Sequence, residues 1–237
     1  MNVHESEQPP LSLAEPEPAA RAEPRNARRV FVLVAAAVAL VLVAVTGFAF
    51  GRLSAATEAM PGDTSAEAGF ARDMQVHHQQ GAELATMIRD VSGVPDLRLL
   101  AYDIATTQTQ QAGQMYGWLR AWGLPQASAE PSMAWMTQPA SAGSTTPHHP
   151  MGGPAEPMAM PGLATPEQIA QLRAATGVEA ERIFLELMMD HHRGAVDMAN
   201  AVLGRASNSA VVELARSIIE SQTAEMLVME QMLGRLV

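Results

Sequence analysis

The sequence contains an internal repeat. Residues 70–120 align without a gap on residues 184–234 at a constant offset of 114, with twelve identities in 51 positions. Most of the identities recur at spacings of three, four or seven residues, which is typical of one helix face. We therefore predict two copies of one helical unit. The identical pairs are Phe70/Phe184, Met74/Met188, His77/His191, His78/His192, Ala85/Ala199, Leu100/Leu214, Ala101/Ala215, Ile104/Ile218, Gln108/Gln222, Thr109/Thr223, Met115/Met229 and Leu119/Leu233.

Each copy is predicted to be a helical hairpin. In the first copy, Thr64 and Glu67 form a capping-box pattern that starts a helix, and residues 92–96 (Ser-Gly-Val-Pro-Asp) stop it and cap the next one. The second helix extends to Trp122, because a glycine and a proline follow closely.

The second copy is predicted to begin with a short extra helix. Thr165 and Gln168 open that helix, which closes near Gly177. The histidine-bearing helix then covers about residues 178–205, residues 207–209 form a turn, and the last helix reaches the C-terminus. Two antiparallel hairpins bury their four apolar stripes best as a four-helix bundle, so the predicted fold class is all-α.

An apolar segment precedes the repeats. Val30 to Phe50 contains no charged residue and is long enough to cross a bilayer. Three arginines lie just before it and only Arg52 follows closely, which places the N-terminus in the cytoplasm and the rest of the chain outside. The alternative is a cleaved signal peptide, because small residues follow at 54–56. The predicted organisation is a disordered tail (1–29), a transmembrane helix (30–50), a linker (51–63) and a bundle domain (64–237) made of hairpin 1 (64–122), a Pro/Met/His-rich loop (123–164) and hairpin 2 (165–237).

The composition excludes several functions. The net charge is −10 and no basic face is visible, so a nucleic acid is not expected as a partner. Cysteine is absent, which excludes disulfides, cysteine-type zinc sites and a thiol nucleophile. The sequence leaves a homo-oligomer open.

Paired histidines occupy the apolar face of the first helix in each copy. On a helical wheel Phe70, Met74, His77, Gly81 and Ile88 share one face, with His78 at its margin, and copy two repeats the pattern. A single buried histidine is more often a satisfied core residue than a ligand. Two equivalent pairs, each one turn from a methionine, favour a metal site.

The partner helices supply further donors. Gln111 and Glu225 are as far from their turns as His77 and His191 are, so they are expected at the same height in each hairpin. Imidazole and thioether ligands together suit copper, and zinc is the alternative ion. The predicted metal ligands are His77, His78, Met74, Met115, His191, His192, Met188, Glu225 and Met229.

Two other interpretations stay open. The histidines and their Gln or Glu partners could form a hydrogen-bonded network that fixes the register of a structural or partner-binding bundle. A di-metal oxidoreductase is a weaker alternative, because such bundles use Glu-x-x-His pairs and none occurs here. No catalytic constellation is found, so an enzyme is not predicted.

The loop between the copies contains eight prolines. We expect it to be a flexible segment outside the folded core that captures metal on soft ligands, with a neutral spacer as the alternative. Its candidate ligands are His148, His149, Met151, Met158 and Met160.

The pattern Phe184-x3-Met188-x2-His191-His192, followed by Gln222-x2-Glu225 and a closing Met229, resembles the domain-of-unknown-function 305 family over about residues 66–237. The resemblance implies a ferritin-like four-helix bundle, usually exported or membrane-anchored, with copper binding in some members and no established activity for most. It carries over to the four paired histidines. The first copy departs from the family pattern after its histidines and has Gln111 where copy two has Glu225, so copy two is the favoured site.

Overall fold

The computed structural model describes residues 25–54, 60–140 and 158–236. These residues form six α-helices and one short 3-10 helix, and they contain no strand. The predicted all-α class is therefore confirmed. The chain divides into two compact units, residues 1–57 and 58–237.

The first unit contains one helix, α1 (Arg25–Ser54). Its segment Arg28–Ala49 has 22 residues and is apolar enough to cross a membrane. At about 1.5 Å per residue it extends for about 33 Å, the thickness of a bilayer core. A signal sequence near an N-terminus has the same length and composition, so this helix fits either role.

The second unit contains the two predicted hairpins. Helices α2 (Ala66–Val91) and α3 (Pro95–Ala121) form the first hairpin. After the short helix α4 (Pro166–Ala174), helices α5 (Gly177–Leu203) and α6 (Ser209–Leu233) form the second. Helix α2 also packs against α5, which joins the hairpins into the bundle.

The start of α2 differs from the prediction. The N-cap is Ser65, whose hydroxyl accepts a hydrogen bond from Ala68 N at 3.2 Å, so the predicted capping role of Thr64 is wrong. Glu67 does not complete a capping box, because its Oε1 accepts from Ser207 N at 2.9 Å in the turn of the other hairpin. By contrast, Thr165 and Gln168 open α4 as predicted, and they do so through a complete capping box.

A matching brace connects the hairpins in the opposite direction. Glu181, the repeat equivalent of Glu67, accepts from the Ser92 hydroxyl at 2.7 Å in the turn of the first hairpin. Both glutamates are buried, and a buried carboxylate is tolerated only where donors satisfy it. Each copy thus fixes the turn of the other.

Two apolar clusters fill the bundle. The first joins the N-terminal half of α2 to the C-terminal half of α5, and the second joins the C-terminal half of α2 to the N-terminal half of α5. Helices α2 and α5 are therefore antiparallel. The first cluster includes Phe70, Met74, Met115, Leu119, Met198 and Val202, and the second includes Leu84, Ile88, Ile104, Phe184, Met188 and Met229.

Equivalent residues of the two copies lie in opposite apolar clusters. Phe70 and Met74 lie in the first cluster, and their equivalents Phe184 and Met188 lie in the second. The two hairpins are consequently related by a pseudo-twofold axis that passes between α2 and α5.

Both described ends of the long loop pack on the bundle. Asp73 accepts from Met133 N at 2.7 Å and from Trp135 Nε1 at 2.9 Å, which holds the 3-10 helix Ala134–Thr137 against α2. At the other end, Met158 and Met160 are partly buried against the first cluster. The prediction that the loop side chains lack packing partners is therefore wrong for these two methionines. His148, His149 and Met151 lie outside the described residues.

Candidate metal centre

Four histidine rings pack one after another in the middle of the bundle, and we call them the histidine row. The ring centroids of His78 and His77 are 6.2 Å apart, those of His77 and His191 are 3.8 Å apart, and those of His191 and His192 are 6.2 Å apart. All four residues are fully buried. The central contact joins equivalent residues of the two copies, so the pseudo-twofold axis passes through this row.

The Nε2 atom of each ring faces an oxygen. His77 Nε2 lies 3.0 Å from Pro161 O, and His191 Nε2 lies 2.8 Å from His77 O. A carbonyl oxygen can only accept, so both Nε2 atoms carry the proton. The rings of His78 and His192 donate to side chains instead.

His78 Nε2 donates to Gln111 Oε1 at 2.7 Å, and His192 Nε2 donates to Glu225 Oε2 at 2.6 Å. These pairs are equivalent in the repeat. The prediction gave Gln111 and Glu225 only a common height with the histidines, and the histidine at the margin of the wheel is the one that reaches α3.

The Nδ1 atoms of all four histidines are buried without a hydrogen-bond partner. Since Nε2 holds the proton in a neutral ring, each Nδ1 presents a bare lone pair. Leaving a buried polar atom unpaired costs about 1–3 kcal/mol, and native proteins contain few such atoms. Four equivalent ones in a single row are a donor set that the fold itself does not use.

Burial keeps three of the rings neutral. Desolvation lowers the pKa of His77 to about 4 and that of His78 to about 3. Burial also lowers the pKa of His191 well below its ordinary value, and the neighbouring His77 adds to this effect. The Nδ1 lone pairs of His77, His78 and His191 are therefore free of protons at neutral pH, which is the state that a metal ligand requires.

A strap formed by residues 158–164 covers the first half of the row. Besides the contact of Pro161 with His77, the Gln80 side chain donates to Ala164 O at 3.0 Å and accepts from Ala164 N at 2.7 Å. The strap crosses α5 at Gly194, where a Cβ atom would lie 2.1 Å from Pro161 O. Gln80 and Gly194 are repeat equivalents, so one copy holds the strap and the other gives it room.

The predicted methionine ligands flank the row. Met74, Met115, Met188 and Met229 are fully buried, with the first pair in the first cluster and the second pair in the second cluster. Within residues 60–140 and 158–236, no three His, Asp or Glu side chains form a ready metal-binding group. Instead, the Nε2 atom of each ring forms a hydrogen bond within the bundle.

Two glutamines at the row were not predicted as site residues. Gln108 has both amide atoms buried without partners, and Gln222 has an unpartnered Oε1. A Cβ atom on Gly81 would lie 2.0 Å from Gln108 Oε1 and 2.7 Å from His191 Cε1, so the amide and the ring meet at this glycine. The presence of glutamine at both equivalent positions, 108 and 222, is the sequence signal that could have identified them.

These features define a duplicated helical-hairpin bundle with a buried row of four histidines at its centre. The chain belongs to the DUF305 family, a domain of unknown function, whose profile matches residues 67–233. The predicted family resemblance is therefore confirmed.

Solved structures agree with this assignment. A DUF305 protein from Streptomyces coelicolor is 40% identical, with a TM-score of 0.64 over 74% of this chain and 96% of that one. A DUF305 fragment from Deinococcus radiodurans is 32% identical, with a TM-score of 0.55 over 72% and 96%. CopM in its Cu(I)-bound form shares the fold at 22% identity, with a TM-score of 0.52 over 74% and 97%. The comparison with curated proteins gives no match.

Proposed function

We propose that this chain is a membrane-anchored, extracytoplasmic copper-binding protein and that the histidine row is its principal site. The observation that carries the proposal is the set of four buried Nδ1 atoms without partners. A bound cation would satisfy atoms that the apo fold leaves unpaired.

The Nε2 contacts support this role. A metal-binding histidine usually donates its other ring N–H to a carboxylate, an amide or a backbone carbonyl, which fixes the tautomer and raises the basicity of the ligand atom. All four histidines already make such contacts. Their outer shell is thus built, and it leaves the Nδ1 atoms as the nitrogen donors that remain for an ion.

The donor chemistry favours copper. Neutral imidazoles and four buried methionines are available and cysteine is absent, which suits Cu(I) through thioether sulfur and either oxidation state through nitrogen. Zinc would use the imidazoles but gain little from the methionines. CopM, which has the same fold, has been solved with Cu(I), Cu(II) and silver bound.

The proposed location is supported by α1 and its flanks. Arg25, Arg28 and Arg29 precede the apolar segment, which favours a cytoplasmic N-terminus with the bundle outside the membrane. Mass spectrometry of the membrane-extracted protein would test the anchor. A mature N-terminus near residue 55 would show that the helix is a cleaved signal sequence.

The loop pair His148 and His149, with the nearby methionines, is proposed as a secondary capture site. Replacing residues 141–157 with a Gly-Ser segment of equal length keeps the strap while removing both histidines. The melting temperature should change little and fewer copper ions should bind per chain. An unchanged copper stoichiometry would make the segment a spacer.

The principal test compares histidine pairs in the full chain purified in detergent. A variant with Gln at positions 77, 78, 191 and 192 keeps an N–H donor at each position but has no imidazole lone pair. It should lose tight Cu(I) binding in an anaerobic competition assay, whereas H148Q/H149Q should retain it. Undiminished tight binding by the folded quadruple variant would refute the proposal. If that variant does not fold, H78Q/H192Q provides the same comparison.

A structural bundle is the second candidate, and the hydrogen bonds of His78 and His192 favour it. Such pairs can fix helix register without any ion. Thermal melting separates the two functions, because an ion that binds only the native state raises the melting temperature. No shift with Cu(I), Cu(II) or Zn(II) would leave the structural role.

A further inference from the structure

We propose that Gln111 and Glu225 make the two halves of the histidine row select cations of different charge. The half with His191 and His192 takes a divalent ion, and the half with His77 and His78 takes a monovalent ion. This inference rests on the proposed metal-binding function and assigns Glu225 as a specificity-determining residue outside the ligand shell.

The two halves are a natural matched pair. His78 and His192 are equivalent, and each donates Nε2–H to the residue 33 positions further on, at 2.7 Å and 2.6 Å. The same copies contribute Met74 with Met115 and Met188 with Met229, all fully buried. The donor types are therefore the same in each half, and the contact behind the outer histidine differs by one formal charge.

The charge on Glu225 has no other partner that would cancel it. In the part of the chain that the structure describes, Glu225 accepts a hydrogen bond from His192 Nε2, and no arginine forms an ion pair with it. Its side chain is 23% exposed, so water can stabilise the carboxylate when no ion is bound. Gln111 is buried, which suits a neutral amide better than a carboxylate.

Charge compensation then separates the two halves. A divalent cation held by neutral ligands in a buried site keeps its full charge, which is costly in a low dielectric. A carboxylate one ring away reduces that net charge and makes the imidazole a stronger donor. A monovalent ion such as Cu(I) needs less compensation and is satisfied by neutral nitrogen and sulfur donors.

The test uses Cu²⁺ and Ag⁺, where Ag⁺ stands for Cu(I) without redox chemistry. E225Q in the full chain gives copy two the pair that copy one already has, so the fold can accommodate it, and melting curves check this. The Cu²⁺ dissociation constant should rise about 10- to 100-fold, the usual effect of losing such an outer-shell carboxylate. The Ag⁺ dissociation constant should change by less than about threefold.

The reciprocal variants complete the design. Q111E should give the chain a second Cu²⁺ with a nitrogen-coordinated paramagnetic resonance signal. In Q111E/E225Q, tight Cu²⁺ binding should depend on His78 instead of His192, as H78Q and H192Q in that background would show. Equal loss of both ions in E225Q, or no loss of Cu²⁺, would overturn the inference. Failure of the native chain to bind either ion would instead reject the proposed metal-binding function.

Discussion

Gly194→Ala tests whether the strap packs directly against helix α5. Gly194 lies on α5 where Pro161 crosses it, and the added Cβ would lie 2.1 Å from Pro161 O and 2.4 Å from Pro161 C. Both are backbone atoms, so the strap as a whole must move. Because the same carbonyl accepts from His77 Nε2, the movement also breaks a contact of the histidine row.

The expected decrease in the free energy of unfolding is the balance of three effects. Alanine in a helix interior is favoured over glycine by about 1 kcal/mol. Overpacking against a fixed backbone costs about 1–3 kcal/mol, and the broken hydrogen bond costs about 1 kcal/mol more. Gly113→Ala on α3 is the control, because nothing lies within 4 Å of its Cβ position and the alanine gain is therefore realised in full.

G194A should therefore be about 2–4 kcal/mol less stable than G113A. At about 2–4 °C per kcal/mol for a domain of this size, the melting temperatures should differ by roughly 4–16 °C. Circular dichroism of the full chain in detergent measures this difference. Equal melting temperatures for the two variants would refute the close contact between the strap and α5.

Two further outcomes are expected. The apo protein should lose stability as the pH falls from about 6.5 towards about 4, because the unfolded chain protonates histidines whose folded pKa values are lowered, at up to about 1.4 kcal/mol per pH unit for each ring. Denaturant unfolding at pH 7.5, 5.5 and 4.5 checks this, and a flat profile would contradict it. Gln80→Ala removes both hydrogen bonds to Ala164 and should destabilise the strap by about 2 kcal/mol, whereas Gln79→Ala, at an exposed neighbour, should change stability by less than about 0.5 kcal/mol. An acylating reagent should modify His77 faster in Q80A than in Q79A. Equal rates in the two variants would show that Gln80 does not hold the strap over His77.

The repeat allowed the fold to be predicted because it doubles every local signal. The turn at 92–96 and the cap at Thr165 were identified from short-range chemistry, and both are present. The α2 cap was misassigned by one residue, because Thr64 and Ser65 are both suitable caps and Glu67 is used elsewhere. Local patterns cannot show that a glutamate is already committed to a distant turn.

The histidine pairing shows a different limit. His77 and His78 differ in height by only about 1.5 Å, so distance from the turn cannot choose between them. They differ by about 100° in direction, and α2 has two neighbours. One ring faces α5 and meets His191, while the other faces α3 and meets Gln111. The sequence argument considered only height within one hairpin and therefore could not assign a partner to either ring.

The strap could not be predicted from periodicity, since its contacts depend on how the long loop returns to the bundle. Its signature is nevertheless a difference between the copies. Gln80 and Gly194 occupy equivalent positions, but Gln80 forms hydrogen bonds with the strap, whereas Gly194 leaves the space that the strap backbone occupies. A departure from the repeat beside a repeated histidine is thus as informative as an identity.

The same reasoning explains where functional asymmetry must lie. His77 and His191 are related by the pseudo-twofold axis. Features that are present in both copies, such as the apolar clusters and the unpaired Nδ1 atoms, are therefore the same in both halves of the row. Shared features can create a site, but they cannot distinguish one half from the other. The strap, which lies outside the repeat, and the positions that break the repeat can do so. Two such pairs lie beside the row: Gln80 and Gly194 both contact the strap, and Gln111 and Glu225 differ in charge. Because the two differences act on separate properties, exchanging one pair should leave the effect of the other intact, and this independence distinguishes a built asymmetry from drift between duplicated copies.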